Sequence, residues 1–228
     1  MTIFEKQNLY KFSVNGNNLS MRFDNVTLEF PSLFDKSGYE GAKQTYNTKV
    51  LISYKDRPDV YGGESSMIKD FENAVNIVAT NKSLKKIKPD LHFKNTDFPI
   101  SDGKYKADDS EKNDHYIDHI YFNAKEDKRP KVLIPLRVAE ALGEDFDNDA
   151  DELVTQRGSQ VYLVGADSPN TSLFYSGCIC SIVVAGYIYK GAGSTCASFY
   201  LKEVVLRERG ERRGGGSIDD SVLEGFLD

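Results

Sequence analysis

The chain has 228 residues, 39% of them apolar, enough for a buried core and too many for a chain disordered throughout. Its 29 basic and 35 acidic residues give a net charge of -6, which taken whole argues against a nucleic-acid partner. The acids are concentrated, however: six lie between Glu144 and Glu152 and four between Ser217 and Asp228, with no base in either stretch. The remainder holds 25 acids against 29 bases, a mildly basic body able to meet phosphates.

In chain order, Met21 to Phe30 reads as a strand, Pro31 to Gly41 as a loop, and Thr45 to Tyr54 as a second strand stopped by Asp56-Arg57-Pro58. Ile68, Phe71, Val75 and Val78 line one face of a helix from about Ser65 to Lys86. Ser65 or Ser66 suits its cap, and Lys82, Lys85, Lys86 and Lys88 collect at the end where the helix dipole favours cations. After a turn at Ser101-Asp102-Gly103, strands are expected at His115 to Ala124, Lys131 to Ile134, Gln160 to Val164, Leu173 to Lys190 and Ala197 to Arg207. A short helix at Pro135 to Leu142 and a solvated acidic loop interrupt them. Gly177 and Gly186 are read as bends or bulges in a strand too long to be straight.

This pattern predicts a mainly β chain: an OB-fold-like antiparallel β-barrel with an inserted amphipathic helix. Residues 1–213 form the expected domain. Gly214-Gly215-Gly216-Ser217 is a linker, and the acidic residues and large apolar groups after it form a disordered tail suited to docking on a partner.

The three cysteines, Cys178, Cys180 and Cys196, form no disulfide framework, and Cys178 and Cys180 read as buried strand thiols in a reducing, cytoplasmic setting. No basic stretch followed by an apolar run opens the chain, and no apolar run reaches the length of a membrane span, so neither secretion nor a membrane is expected. No cofactor is expected. There is no phosphate loop, nucleophile elbow or His-Glu-x-x-His. His115 and His119 would share a strand face opposite Asp114 and Asp118. Asp145, Asp147 and Asp149 imitate a calcium loop, but Ala150 and Gln156 stand where glycine and glutamate are needed.

What remains is aromatic residues interleaved with bases. Tyr187 and Tyr189 share a strand face about 7 Å apart, where each ring can stack a base, with Lys190 beside them. The stretch containing Tyr116 and Tyr121 leads through Lys125, Lys128, Arg129 and Lys131, a cluster able to neutralise a phosphate backbone.

The ordered set Arg22-Phe23-Asp24-Asn25-Val26, Tyr46 to Ile52, the amphipathic helix, Asp102-Gly103, Phe122-Asn123-Ala124-Lys125, Arg129-Pro130, Tyr175-Ser176-Gly177-Cys178, Tyr187 to Gly191 and Leu201-Lys202-Glu203-Val204 runs over roughly residues 20 to 210. In this the chain resembles phage single-stranded-DNA-binding proteins with a helix-bearing OB-fold. It departs from them after the glycine tip, where Ser-Thr-Cys-Ala-Ser follows, and after Arg129-Pro130, where Val132-Leu133-Ile134 runs into Pro135 without an acid. The resemblance implies a replication, recombination and repair protein in the cytoplasm of an infected bacterium. It maps the aromatic stacking role to Tyr187 and Tyr189, and an acidic partner-binding tail to Asp219, Asp220, Glu224, Phe226 and Asp228. The partners so implied are single-stranded DNA and replication proteins such as DNA polymerase, with homo-oligomerisation allowed for. Two rivals are a divalent-metal nuclease using Asp114, Asp118, His115 or His119 with the acidic loop, and a structural β-rich virion protein.

Overall fold

A computed structural model describes residues 1–38, 40–55, 59–61, 66–191 and 193–213. The linker and acidic tail, the Asp56-Arg57-Pro58 stop and the candidate cap Ser65 lie outside the described residues.

Five strands close a barrel. They are β3 (Asn18–Ser37), β4 (Thr45–Ser53), β6 (His119–Glu126), β11 (Thr195–Glu208) and β10 (Ile179–Lys190). Each pairs with the next, antiparallel except β6 with β11, and β10 returns to β3 to complete the ring. This is the expected mainly β, OB-like architecture. Alternation along these strands sends Phe23, Phe122, Phe199 and Val184 inward, and the rings of Phe23, Phe122 and Phe199 meet with centroids 4.6 to 6.4 Å apart.

Helix α1 (Met67–Asn81) caps this core. Ser66 is its N-cap, the side chain accepting from the Lys69 backbone N–H at 3.3 Å. Ile68, Phe71, Val75 and Val78 are buried as their spacing predicts, and Phe71 packs edge-on against Phe12 and Phe98.

Two additions enlarge the barrel. At the N-terminus, β1 (Thr2–Lys6) and β2 (Tyr10–Asn15) form a hairpin laid onto β3. On the far side, β7 (Lys131–Pro135) pairs with β11 and carries β9 (Ser159–Leu163), which carries β8 (Glu152–Gln156). The β8–β9 turn is Arg157-Gly158 with both φ positive, the backbone a two-residue hairpin requires. Short β5 (Ile100–Asp102) pairs with β6 and leads into the one-turn helix α2 (Lys104–Ala107), and helix α3 (Leu136–Leu142) follows Pro135 directly, as expected.

Several expectations need correction. The region Pro31 to Ser37 is the continuation of β3 beyond a register shift between Glu29 and Ser32, not a loop. Residues 115–118 are not strand: Glu111–Tyr116 is a 3-10 turn, and Asp118 at φ 60° reverses the chain into β6. A 3-10 turn, Pro169–Leu173, likewise occupies the start of the expected long strand before β10. The bulges along the β10–β11 pair lie on β11, where Arg207 and Lys202 are the extra residues opposite Ile179/Cys180 and Val183/Val184, and none falls at Gly186. Gly177, at φ +112°, makes a bend just ahead of the strand. The acidic stretch is only partly solvated, because Asp151 accepts from Gly165 N–H, Ser168 Oγ and Asn170 Nδ2 at 2.7 to 2.8 Å and pins the loop. All three cysteines are free and buried.

Candidate nucleic-acid interface

The outward faces of β10, β11, β6, β4 and the bulged part of β3 form one continuous band. Four steps of about 4.8 Å make it roughly 19 Å wide.

At one end stand Tyr187 and Tyr189, exposed at 45% and 37%, their rings stacked at 5.3 Å and 22°. Tyr200 of β11 pairs across from Ala185, and its ring lies 5.6 Å from that of Tyr187. Lys82, just past the end of α1, reaches this corner. Its Nζ donates to the Ile188 carbonyl at 2.9 Å and sits 5.3 Å over the Tyr187 ring. Lys190, in register with Thr195, is exposed but alternates to the Ile188 side of the strand, away from the tyrosine face.

Moving inward, Tyr200 is in parallel register with Lys125, and Lys125 with Asn47. Lys202 pairs with Glu126, and Lys43 with Asp127 at 2.5 Å. Lys128, Arg129 and Lys131 are exposed at the turn into β7, and Lys131 is in register with Glu203.

At the other end β4 and β6 floor a groove of about 740 Å³ lined by Lys43, Lys49, Lys106, Lys125, Tyr121 and Phe30. Its wall is a buried ionic hub. Glu29, 2% exposed, accepts from Tyr116 Oη, pairs with Lys49 Nζ at 3.1 Å and bonds His115 Nε2 at 2.6 Å. Burial pushes the Glu29 carboxyl up, but the Tyr116 hydrogen bond and the Lys49 charge outweigh it and hold the group below the usual carboxylate range. Lys106 Nζ lies 3.7 Å from the centre of the Tyr116 ring. Burial first, and the neighbouring Lys49 charge second, push its ammonium down to about 8.

This arrangement corrects the roles expected of Tyr116 and Tyr121. Both are buried, at 1% and 7%, in a small second core with Leu51 that the 3-10 turn folds over the outside of the sheet. Tyr116 is covered by Lys106 and has its hydroxyl bound to Glu29, which leaves no open face for a base, and burial together with Glu29 pushes that hydroxyl well above the ordinary tyrosine range. Tyr121 is part of the groove wall.

Phe30 was missed in the sequence. It is 59% exposed at φ 49°, a backbone that a bulky residue rarely tolerates, at the bulge where β3 changes register. Lys49 Nζ lies 5.5 Å from its ring centre.

His115 and His119 do not converge: one faces Glu29, the other turns Nδ1 to the Ile117 carbonyl at 2.7 Å. Among the described residues no group of three or more His, Cys, Asp or Glu is placed to hold a metal ion. No described helix is long and apolar enough to cross a membrane.

The family pattern described as "Enterobacter phage Enc34, ssDNA-binding protein" matches residues 19–224, nearly the whole chain. The chain belongs to this family. Among solved structures, the single-stranded DNA-binding protein from bacteriophage Enc34 in complex with ssDNA is similar at TM-score 0.59 and 17% identity, over 92% of this chain and 100% of that one. A second structure of the single-stranded DNA-binding protein from bacteriophage Enc34 gives 0.57 and 16% over 98% and 99%. Its C-terminal truncation gives 0.57 and 16% over 88% and 95%. At these identities the structural likeness speaks for the fold, and membership of the Enc34 family rests on the pattern. Comparison with curated proteins finds no match.

Proposed function

We propose that the chain binds single-stranded DNA with little sequence preference, laying the strand across the band from Tyr189 to Phe30. The observation that carries this reading is the exposed, mutually stacked Tyr187–Tyr189 pair on a sheet face that leads without interruption into a lysine-lined groove. Large aromatic rings do not ordinarily stay half in water on a strand with a packed core beneath. Stacked bases would cover them, at about 1 to 3 kcal/mol per base. Tyr187, Tyr189 and Tyr200 supply the stacking faces at one end and Phe30 at the other. Lys82, Lys125, Lys49, Lys106 and Lys202 meet phosphates between them, and Lys128, Arg129, Lys131 and Lys190 extend the positive rim. Base rings have π-faces whatever their identity, which is why such a surface tolerates sequence. Membership of a phage single-stranded-DNA-binding family supports the same reading.

The biological setting is phage DNA replication, recombination and repair. The acidic tail, with Asp219, Asp220, Glu224, Phe226 and Asp228, competes with DNA for the lysine groove when no strand is bound and is freed to recruit replication proteins such as DNA polymerase when one is.

Tyrosine fluorescence of this tryptophan-free chain during oligo-dT titration in rising salt tests the reading. If five lysines each meet a phosphate, log affinity falls against log salt with a slope near about -3.5. Affinity indifferent to salt, or a preference for duplex, overturns it.

A further inference from the structure

A second concentration of positive charge lies outside the band. Arg22, Arg137, Arg157 and Arg207 line a cleft of about 690 Å³ between the β10–β11 ribbon, the β7–β9 extension and α3, together with Glu140 and Glu203. Of the nearby carboxylates, Asp24 and Glu203 are committed, while Glu140 is exposed. Buried Asp24 receives Arg22 Nε at 2.9 Å and Ser181 Oγ at 2.7 Å, and Arg207 Nε donates to the same Ser181 Oγ at 2.7 Å. Glu203 receives Gln156 Nε2 at 2.9 Å and Arg157 at 3.3 Å. Arg137, exposed on α3, makes no hydrogen bond or ion pair among the described residues. Burial, and after it the charges of Arg137 and Arg22, pull the Arg207 guanidinium below its ordinary range against the opposing pull of Asp24. Three guanidinium groups thus line one cleft, two of them sharing the single carboxylate of Asp24, and an anion with several acceptor oxygens would balance the remaining charge. Planar guanidinium forks match the oxygens of a phosphate.

The cleft is also in line with the band. Val183 and Ser181 line it, on the same outward face of β10 as Tyr187. Tyr187 and Val183 are four residues apart, about 13 Å along a strand. Along β10 only Ala185 separates them on that face, with Tyr200 across from it on β11 and Arg22 across from Val183 on β3.

We propose that this arginine cleft is a second phosphate-binding locus for single-stranded DNA, reached only by strands long enough to run from Tyr187 along β10. The inference rests on the DNA-binding reading above and adds to it a dependence on strand length.

The test compares the full chain with Arg137→Ala and Arg137→Lys, using labelled oligo-dT of about 4 and about 16 nucleotides, the limits of OB-fold site sizes. In Arg137→Ala the longer strand is expected to bind roughly tenfold more weakly. Its logarithmic salt slope should be shallower by about 0.7, with the shorter strand unaffected and Arg137→Lys recovering most of the slope. Unchanged affinity for the longer strand, or equal weakening of both, overturns the second locus while leaving DNA binding standing. If neither oligonucleotide binds the unaltered chain, the DNA-binding reading fails and the second locus with it. If Arg137→Ala tightens DNA binding in the full chain but not in a chain ending at Arg213, the cleft receives the acidic tail, and the proposal is overturned in that way.

Discussion

Lys106 offers a pH test of the lysine groove. Its Nζ is wedged between the Tyr116 and Tyr121 rings, 3.7 and 5.4 Å from their centres, and burial and Lys49 bring its ammonium down to about 8. At pH 7 the free protein therefore carries the charge on most molecules, and at pH 9 on few. A phosphate beside Lys106 favours the charged form and raises its pKa, so binding above pH 8 must take up a proton. The affinity contributed by this lysine is present below about pH 8 and declines above it. Between pH 7 and pH 9 the cost approaches about tenfold, or ~1.4 kcal/mol. Over the same interval the salt slope should hold, because the proton taken up keeps the phosphate paired in the complex. An unperturbed lysine, near 10.4, would show almost none of this. Fluorescence anisotropy of labelled oligo-dT at the two pH values measures it, with Lys106→Arg as the control, since arginine stays charged throughout. The expected result is a pH-dependent loss in the unaltered chain and a flat response in Lys106→Arg. Equal losses in both, or none in either, would refute the placement of Lys106 against the DNA backbone.

Three other predictions follow from separate parts of the structure. Phe30→Gly relieves a positive φ and should raise stability by about 1 kcal/mol in urea unfolding while weakening oligo-dT binding by about 1 to 3 kcal/mol; a variant that loses stability and keeps its affinity contradicts the assigned role. Phe71→Ala empties the junction of helix and barrel, where the side chain is fully buried, and should cost about 3 to 5 kcal/mol by the same unfolding measurement, a loss under about 1 kcal/mol being incompatible with that packing. Deleting Ser217 to Asp228 should tighten DNA binding at low salt and abolish capture of the phage polymerase; weaker or unchanged DNA affinity removes the competition role of the tail.

Local patterns in the sequence set most of the barrel. Helical spacing from Ile68 to Val78 and alternation along β4, β10 and β11 required only neighbouring residues, and the structure follows them. The β2–β3 turn is a local signal too, Gly16-Asn17 with glycine at positive φ in the first central position of a two-residue loop. The stretch from His115 to Phe122 misled by alternating like a strand. Its first part folds as a 3-10 turn because Tyr116 is drawn down onto Leu51 and Glu29, partners distant in the chain.

The interface divides in the same way. Tyr187 and Tyr189 share a face by strand periodicity alone, and that much could be read directly. Lys82 could not be placed, because its contact with Ile188 spans 106 residues and its position at a helix end already has an electrostatic explanation. Lys43 and Lys49 are distant from Lys106 in the chain, and the three become one groove only when β4, β6 and the short helix Lys104–Ala107 meet. Phe30 precedes a proline and reads as the end of a strand, whereas β3 passes through the bulge and continues to Ser37.

The central claim is that exposed tyrosines on β10 stack bases. Its most direct test is the affinity of the Tyr187→Ala, Tyr189→Ala double variant for labelled oligo-dT, beside the unaltered chain and over a range of salt. Both side chains stand outside the packed core, partly in water, so the fold should survive the change. The account predicts a loss of at least roughly 25-fold with the salt slope unchanged, because stacking carries no counterion release. Affinity within about twofold of the unaltered chain would contradict it.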